Sequence, residues 1–198
     1  MRIVLLLGAA LFLAAAAPAP VPEPSGLWEG PMHADTPDRL KGATVIDTKT
    51  LAEMQESAHP LLLDVAEAEK KPPSMAKDMP WMPTHRSIPG ATWLVGGGSG
   101  TSDHLFAAAF KTRIAALTGN NLDRQIVVFC HPHCWGSWNA AKRVVALGYR
   151  HVYWYPEGVE GWQSAHDTQV VKPDPAWDAA ISHGKPKPSK RIREGLNK

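Results

Sequence analysis

Short apolar runs alternate with segments of helical spacing along the middle of the chain, and this alternation constrains the fold more than any other feature. Residues 61–65, 126–129 and 151–155 are rich in aliphatic and aromatic side chains, a pattern typical of buried parallel strands. Between them, residues 105–117 and 137–147 carry apolar side chains three or four positions apart, as helices do. The order predicts an α/β domain of three layers with a mainly parallel central sheet.

Composition limits the size and class of the protein. The chain has 198 residues, of which 44% are hydrophobic and 20% charged, enough for one domain with its own core. A formal net charge of +2 is too small to indicate nucleic-acid binding, so no nucleic-acid partner is expected. The two cysteines exclude a disulfide-rich scaffold and a metal site of four thiolates.

The start of the chain predicts export. Residues 1–19 combine a short positive start with an apolar run of about 15 residues, which is shorter than a bilayer span. We interpret this segment as a signal peptide with no single obvious cleavage site; an uncleaved anchor is the alternative. The prediction is a periplasmic protein without stable membrane insertion, in a compartment where disulfides persist.

Three further regions follow from local composition. Residues 20–41 are proline-rich and predict an extended linker or a strap over the domain. The domain itself is assigned to residues 42–182, with a long irregular loop at 66–87 and a flexible glycine-rich segment at 96–101. Residues 183–198 predict a disordered basic tail, either a solubilising end or an arm for an acidic partner.

Both cysteines fall in one loop between a predicted strand and a predicted helix. Cys130 ends the strand, and Cys134 precedes the helix. Unpaired N–H groups at a helix N-terminus lower the pKa of a thiol and favour the nucleophilic thiolate. We therefore predict Cys130 and Cys134 as catalytic residues. The predicted binding residues around them are His131, His133, Trp135, Gly136, Ser137 and Arg86, with Trp135 as a wall or docking face.

Several separated motifs resemble the rhodanese (sulfurtransferase) family over about residues 42–165. They are Leu63-Asp64-Val65, the run from His85 to Ala91 with its Ile-Pro-Gly-Ala, the strand that ends at Cys130, Ser137 with the Ala-Ala helix, Gly148-Tyr149, Glu157-Gly158 and Trp162. The resemblance implies a single rhodanese-like domain in which Cys130 takes up a sulfane sulfur as a persulfide.

The chain departs from the rhodanese pattern inside the loop. The usual loop carries an arginine near its end, whereas Cys134 and Trp135 occupy this stretch and His131 and His133 are its only potential cations. This departure weakens the case for ordinary thiosulfate turnover. Asp64 is expected to cap its strand or to orient the loop. His85 and Arg86 are expected either to line the mouth of the site or to pack the domain edge.

A narrower resemblance concerns the run from Cys134 to Arg143. Cys-x-x-x-Cys-Trp followed by Ser-Trp-Asn-Ala-Ala-Lys-Arg is similar to exported CXXCW-motif proteins associated with PQQ-dependent alcohol catabolism, although three residues rather than two separate the cysteines here. This resemblance implies an association with a periplasmic quinoprotein system.

The residues leave several chemistries open. Cys130 can transfer sulfane sulfur with loop N–H groups of residues 131–136 around the persulfide, or the two cysteines can cycle between dithiol and disulfide. Both need a small sulfur donor or a thiol protein as partner and no cofactor. The alternative is a non-catalytic module that docks on a quinoprotein system or binds copper or zinc through Cys130, His133 and Cys134.

Overall fold

The computed structural model describes residues 19–76 and 78–182. They form seven strands and five helices in an α/β arrangement. In chain order these are β1 (Thr44–Val45), α1 (Thr48–Ser57), β2 (Leu61–Asp64), β3 (His85–Ser87), β4 (Thr92–Trp93), α2 (His104–Thr118), β5 (Ile126–Phe129), α3 (Trp135–Ala146), β6 (Val152–Trp154), α4 (Gly158–Gln163), β7 (Gln169–Val171) and α5 (Pro175–Ser182).

The central sheet has five strands in the order β1-β6-β5-β2-β4, and every pairing in it is parallel. β5 lies in the middle, between β2 and β6. A second, small sheet pairs β3 with β7 in antiparallel orientation. The prediction of a mainly parallel central sheet is therefore confirmed.

Each face of the central sheet has its own core, which makes three layers. Helices α2, α3 and α5 cover one face, and α1 with α4 covers the other. Side chains of a strand alternate between faces, so all four residues of β5 are buried in one core or the other. Cys130 continues the alternation of Ile126 and Val128 and therefore belongs to the core beneath α3.

The sequence located the long elements well and the short ones poorly. Asp47 caps α1 by accepting from the Thr50 N–H at 2.8 Å, and Asp103 and Gly119 cap the two ends of α2. The segment from Glu157 to Trp162 contains the short helix α4, although its two glycines are more typical of a turn. β7 and α5 were not predicted either, because elements this short carry too little periodicity.

The proline-rich segment 20–41 lies against the domain. Val21, Trp28, Met32 and Ala34 pack on the core beneath α3, and Leu40 is part of it. We refer to residues 20–41 as the strap. Residues 1–18 of the expected signal peptide and the expected tail 183–198 lie outside the described residues. No helix in the described part of the chain is both long and apolar enough to cross a membrane.

The buried Tyr155 makes the folded protein less stable at alkaline pH. Burial, with added repulsion from the Glu157 carboxylate, raises the pKa of Tyr155 from 10.0 to about 12, although its hydrogen bond with Thr48 at 2.6 Å opposes the shift. The unfolded chain therefore ionises this phenol first. The contribution of the protonated Tyr155 phenol to the free energy of unfolding is complete below pH 10 and is lost as the pH rises towards 12.

We expect wild type to lose about 2–3 kcal/mol of unfolding free energy from this group between pH 10 and 12. Tyr155→Phe removes the ionisable group and keeps the ring, so its stability should fall less steeply. Denaturant unfolding of both proteins from pH 8 upward measures the difference. If the free energy of unfolding fell equally with pH in both proteins, Tyr155 would not be the source of the alkaline dependence.

Candidate functional site

The two cysteines form a disulfide at the carboxyl end of the central strand. Cys130 follows β5, and Cys134 immediately precedes α3 at its N-cap position. Their Cα atoms are 6.5 Å apart, within the usual range for a disulfide. Cys130 is fully buried, and Cys134 is 8% exposed. The sequence-predicted pair is thus brought together, with Cys134 as its more accessible member.

Contacts on both sides fix the course of this loop. The Val159 N–H, in the first turn of α4, donates to the Cys130 carbonyl at 2.9 Å. Gly158, at φ +62°, lies so close that a Cβ there would come within 2.6 Å of the same carbonyl oxygen. At the other end, Ser137 Oγ donates to the Cys134 carbonyl at 3.1 Å and accepts from Trp154 Nε1 at 3.0 Å. Ser137 therefore connects the loop to Trp154 of β6.

The glycine-rich segment 96–101 is packed rather than flexible, which corrects the sequence-based expectation. A Cβ on Gly98 would lie 2.2 Å from the Gly136 carbonyl oxygen, and one on Gly136 would lie 3.3 Å from Cys134 Sγ. Glycine at both positions lets this segment approach the first turn of α3 closely. The predicted binding residue Gly136 therefore serves close packing beside the disulfide.

The strap pairs with the cysteine loop through its backbone. The Trp135 N–H donates to the Met32 carbonyl at 2.9 Å, and the Ala34 N–H donates to the His133 carbonyl at 3.0 Å. These two bonds flank an antiparallel bridge between His33 and Cys134. The Trp135 amide, expected among the groups around a persulfide, is therefore occupied by the strap.

Trp135 is a buried anchor for the strap. It is 1% exposed and stacks on Trp28 with ring centroids 4.3 Å apart and an interplanar angle of 13°. Trp138 meets it edge-on at 5.3 Å. The wall predicted at Trp135 thus faces the strap instead of solvent.

Polar residues of α3 hold the strap and the glycine-rich segment. Asn139 is fully buried. Its Oδ1 accepts from the Trp28 N–H at 2.8 Å, and its Nδ2 donates to the carbonyls of Trp28 at 2.9 Å and Gly98 at 3.1 Å.

Two basic residues of α3 make similar bonds. Lys142 Nζ donates to the Pro24 carbonyl at 2.8 Å. Arg143 donates to the Ser99 carbonyl at 3.1 Å, and burial lowers the pKa of its guanidinium.

Two histidines stand near the loop, each bonded to a carboxylate. His85 Nε2 is 2.6 Å from Oδ2 of the fully buried Asp64, which also accepts from Ser87 Oγ and the Ala66 N–H. His131 Nδ1 is 2.8 Å from Glu160 Oε1. The ring centroids of the two histidines are 6.0 Å apart. Asp64 therefore both closes the end of β2 and positions His85 at the loop.

The side chains of two other predicted binding residues contact groups other than the cysteines. Arg86 alternates with His85 along β3, so it points to the other side of the strand, where Nη1 contacts Thr168 Oγ1 at 3.1 Å. His133 has a positive φ of 51° and an exposed side chain that pairs with Asp35 of the strap at 3.0 Å. In the structure Arg86 thus contacts Thr168, and His133 contacts the strap.

The alternative metal set does not form in the disulfide state. The sulfur atoms of Cys130 and Cys134 are bonded to each other, and His133 faces Asp35. Within residues 19–76 and 78–182, no group of three or more His, Cys, Asp or Glu side chains is placed to hold a metal ion.

Four neighbours of the site were not predicted from the sequence: Trp28, Met32, Ala34 and Glu160. In the sequence, the strap residues precede the loop by about a hundred positions. Only the polar residues in the run from Trp135 to Arg143 indicate that another segment packs there. That run is unusually polar for a helix expected to lie against the core. A buried asparagine needs partners from elsewhere in the chain, and this requirement was the available clue.

Comparison with protein families identifies the domain. Residues 47–165 match the model of the rhodanese-like domain. The match spans more than half of the chain and includes the cysteine loop, so the chain belongs to the rhodanese-like domain family. Comparison with curated proteins gave no match.

We expect Asn139→Leu to reduce the free energy of unfolding by about 2–4 kcal/mol, because it leaves the Trp28 N–H and two carbonyls without their partner. Near-ultraviolet circular dichroism should also lose the signature of the stacked Trp28–Trp135 pair.

The control is Lys142→Met, which keeps a long side chain on the same face of α3 and loses the bond to the Pro24 carbonyl, the ion pair with Glu23 and the cation–π contact with Trp138. It should cost less than about 1 kcal/mol. Equal, small losses in both variants would show that Asn139 does not hold the strap.

Proposed function

We propose that the reacting group of this rhodanese-like protein is the Cys130–Cys134 pair, which cycles between dithiol and disulfide while it handles sulfane sulfur. The observation that carries the proposal is the bond between the two sulfur atoms, in a loop at the carboxyl end of the central strand of a rhodanese-like domain. A second cysteine at bonding distance gives a persulfide on Cys130 an intramolecular partner.

The sulfur-accepting step uses the reduced loop. The Cys130 thiolate attacks the terminal sulfur of a sulfane donor R–S–S⁻, forms a new S–S bond and releases R–S⁻. The product is a persulfide on Cys130. Helix α3 begins directly after Cys134, and the positive end of its dipole favours sulfur anions in this loop.

Cys134 then resolves the persulfide. Its thiolate attacks Sγ of Cys130, the bond to the outer sulfur breaks, and hydrosulfide leaves. The outer sulfur is reduced by two electrons, and the two cysteine thiols are oxidised to the disulfide seen in the structure. The cycle thus converts one sulfane sulfur to sulfide for each disulfide formed.

A thiol protein or small thiol resets the cycle. Its thiolate attacks the more exposed sulfur, that of Cys134, and releases the Cys130 thiolate. A second thiol of the reductant then resolves the mixed disulfide and leaves both cysteines reduced. The greater exposure of Cys134 supports it as the contact point for the reductant. The position of Cys130 at the end of the central strand of a rhodanese-like domain supports it as the sulfur carrier.

The proposed setting is the periplasm. The apolar start of the chain supports export, and the run from Cys134 to Arg143 supports a link to PQQ-dependent alcohol oxidation through its similarity to CXXCW-motif proteins. The proposed partners are a small sulfur donor and a thiol protein. The process that they serve is the oxidation of alcohols by a quinoprotein system.

Intact-mass analysis of the reduced protein before and after a stoichiometric polysulfide tests the chemistry. Wild type should release sulfide and become lighter by two hydrogen atoms. Cys134→Ser should gain one sulfur atom and keep it, because the resolving thiol is absent. Cys130→Ser should neither gain sulfur nor release sulfide.

The two serine variants are matched controls, since each removes one sulfur from the same loop. Sulfur bound equally by Cys130→Ser would overturn the assignment of the carrier. Wild type that remains a dithiol after exposure to the donor would overturn the resolving role of Cys134.

A further inference from the structure

His85 and His131 resemble a pair of metal ligands whose supporting groups are already in place. Metal-binding histidines commonly donate the N–H of one ring nitrogen to a carboxylate, which fixes the ring and leaves the other nitrogen for the ion. Here His85 uses Nε2 towards Asp64, at 2.6 Å, and His131 uses Nδ1 towards Glu160, at 2.8 Å.

These contacts define the nitrogen atoms that remain available. A carboxylate only accepts hydrogen bonds, so the bonded nitrogen of each neutral imidazole carries the proton. The lone pairs then lie on Nδ1 of His85 and Nε2 of His131. Neither nitrogen has a hydrogen-bond partner in the described part of the chain.

The separation of the rings suits one shared ion. A metal–nitrogen distance near 2.0–2.1 Å places two imidazole centroids on a tetrahedral ion about 5–6 Å apart. The observed separation is 6.0 Å, with an angle of 71° between the ring planes.

Burial makes one member of the pair rigid and leaves the other accessible. The His85 side chain is 14% exposed and lies against Trp93 with centroids 4.5 Å apart, above a fully buried aspartate. The His131 side chain is 35% exposed. An ion could therefore enter from the His131 side and meet a fixed ligand beneath.

We propose that His85 and His131 bind a divalent transition-metal ion of the zinc and copper class, with Asp64 and Glu160 as the groups that orient them. Imidazole nitrogen is a preferred ligand for both metals. Water fills the remaining positions, so the site is open. It contains neither cysteine and therefore exists in the disulfide state, independently of the sulfur chemistry proposed above.

Calorimetric titration of the oxidised full-length chain with Zn²⁺ tests the proposal. The disulfide removes both thiols as ligands, so any binding reports other groups. We expect one equivalent of Zn²⁺ to bind to wild type. His131→Gln should weaken this affinity at least about tenfold, and Glu160→Ala should weaken it about tenfold through loss of the orienting carboxylate.

His151→Gln is the matched control. His151 is half-exposed, lies 3.9 Å from a carboxylate oxygen of Asp123 and precedes β6, at the end of the sheet away from the cysteine loop. Its replacement should leave the affinity unchanged. His133→Gln should also have no effect, because His133 faces Asp35 of the strap.

A thermal measurement guards against variants that fail to fold. Zn²⁺ should raise the melting temperature of wild type, since binding to the native state stabilises it, and should not raise that of folded His131→Gln. Undiminished binding in His131→Gln, loss of binding in His133→Gln or His151→Gln, or no binding to wild type at about 1 mM Zn²⁺ would each overturn the proposal.

Discussion

The first turn of α3 is the part of the molecule on which the site depends. Its N-cap residue, Cys134, carries one half of the disulfide, and its first amide, that of Trp135, is bonded to the strap. Gly136 admits the glycine-rich segment, and Ser137 links the Cys134 carbonyl to Trp154 of the neighbouring strand. The Trp135 amide is one of the N–H groups that a helix N-terminus leaves without an intrahelical partner, and Gly136 is a position at which only a small residue fits.

The strap changes what this rhodanese-like loop can do. In an open loop the amides of the first helical turn are available to an anion. Here one of them is satisfied by Met32, and Trp28 covers the ring of Trp135. The loop is thereby held in a conformation that suits a bond between its two sulfur atoms. The run from Trp135 to Arg143 is explained largely by this arrangement, since Asn139 and Lys142 bind strap carbonyls and Arg143 binds those of the glycine-rich segment.

Local patterns were sufficient for the main elements and for the position of the cysteines. The run at 126–129 is apolar on both faces because β5 is central in the sheet, so its type and burial followed from the residues alone. Asp47, Asp103 and Gly119 cap helix ends through contacts that act within a few residues. The short α4 and the β3–β7 pair escaped notice, because their stability comes from contacts with distant segments.

By itself, the sequence determined the α/β class, the rhodanese-like order of motifs and the placement of two cysteines between a strand and a helix. Only the tertiary structure decided which groups surround them. It turned Arg86 towards Thr168, set His85 on Asp64 and brought the strap onto Trp135. The physical reason is the range of the interactions. Periodicity and capping act between near neighbours, whereas the site is assembled from side chains and backbone groups that meet only when parallel strands end at the same edge of the sheet.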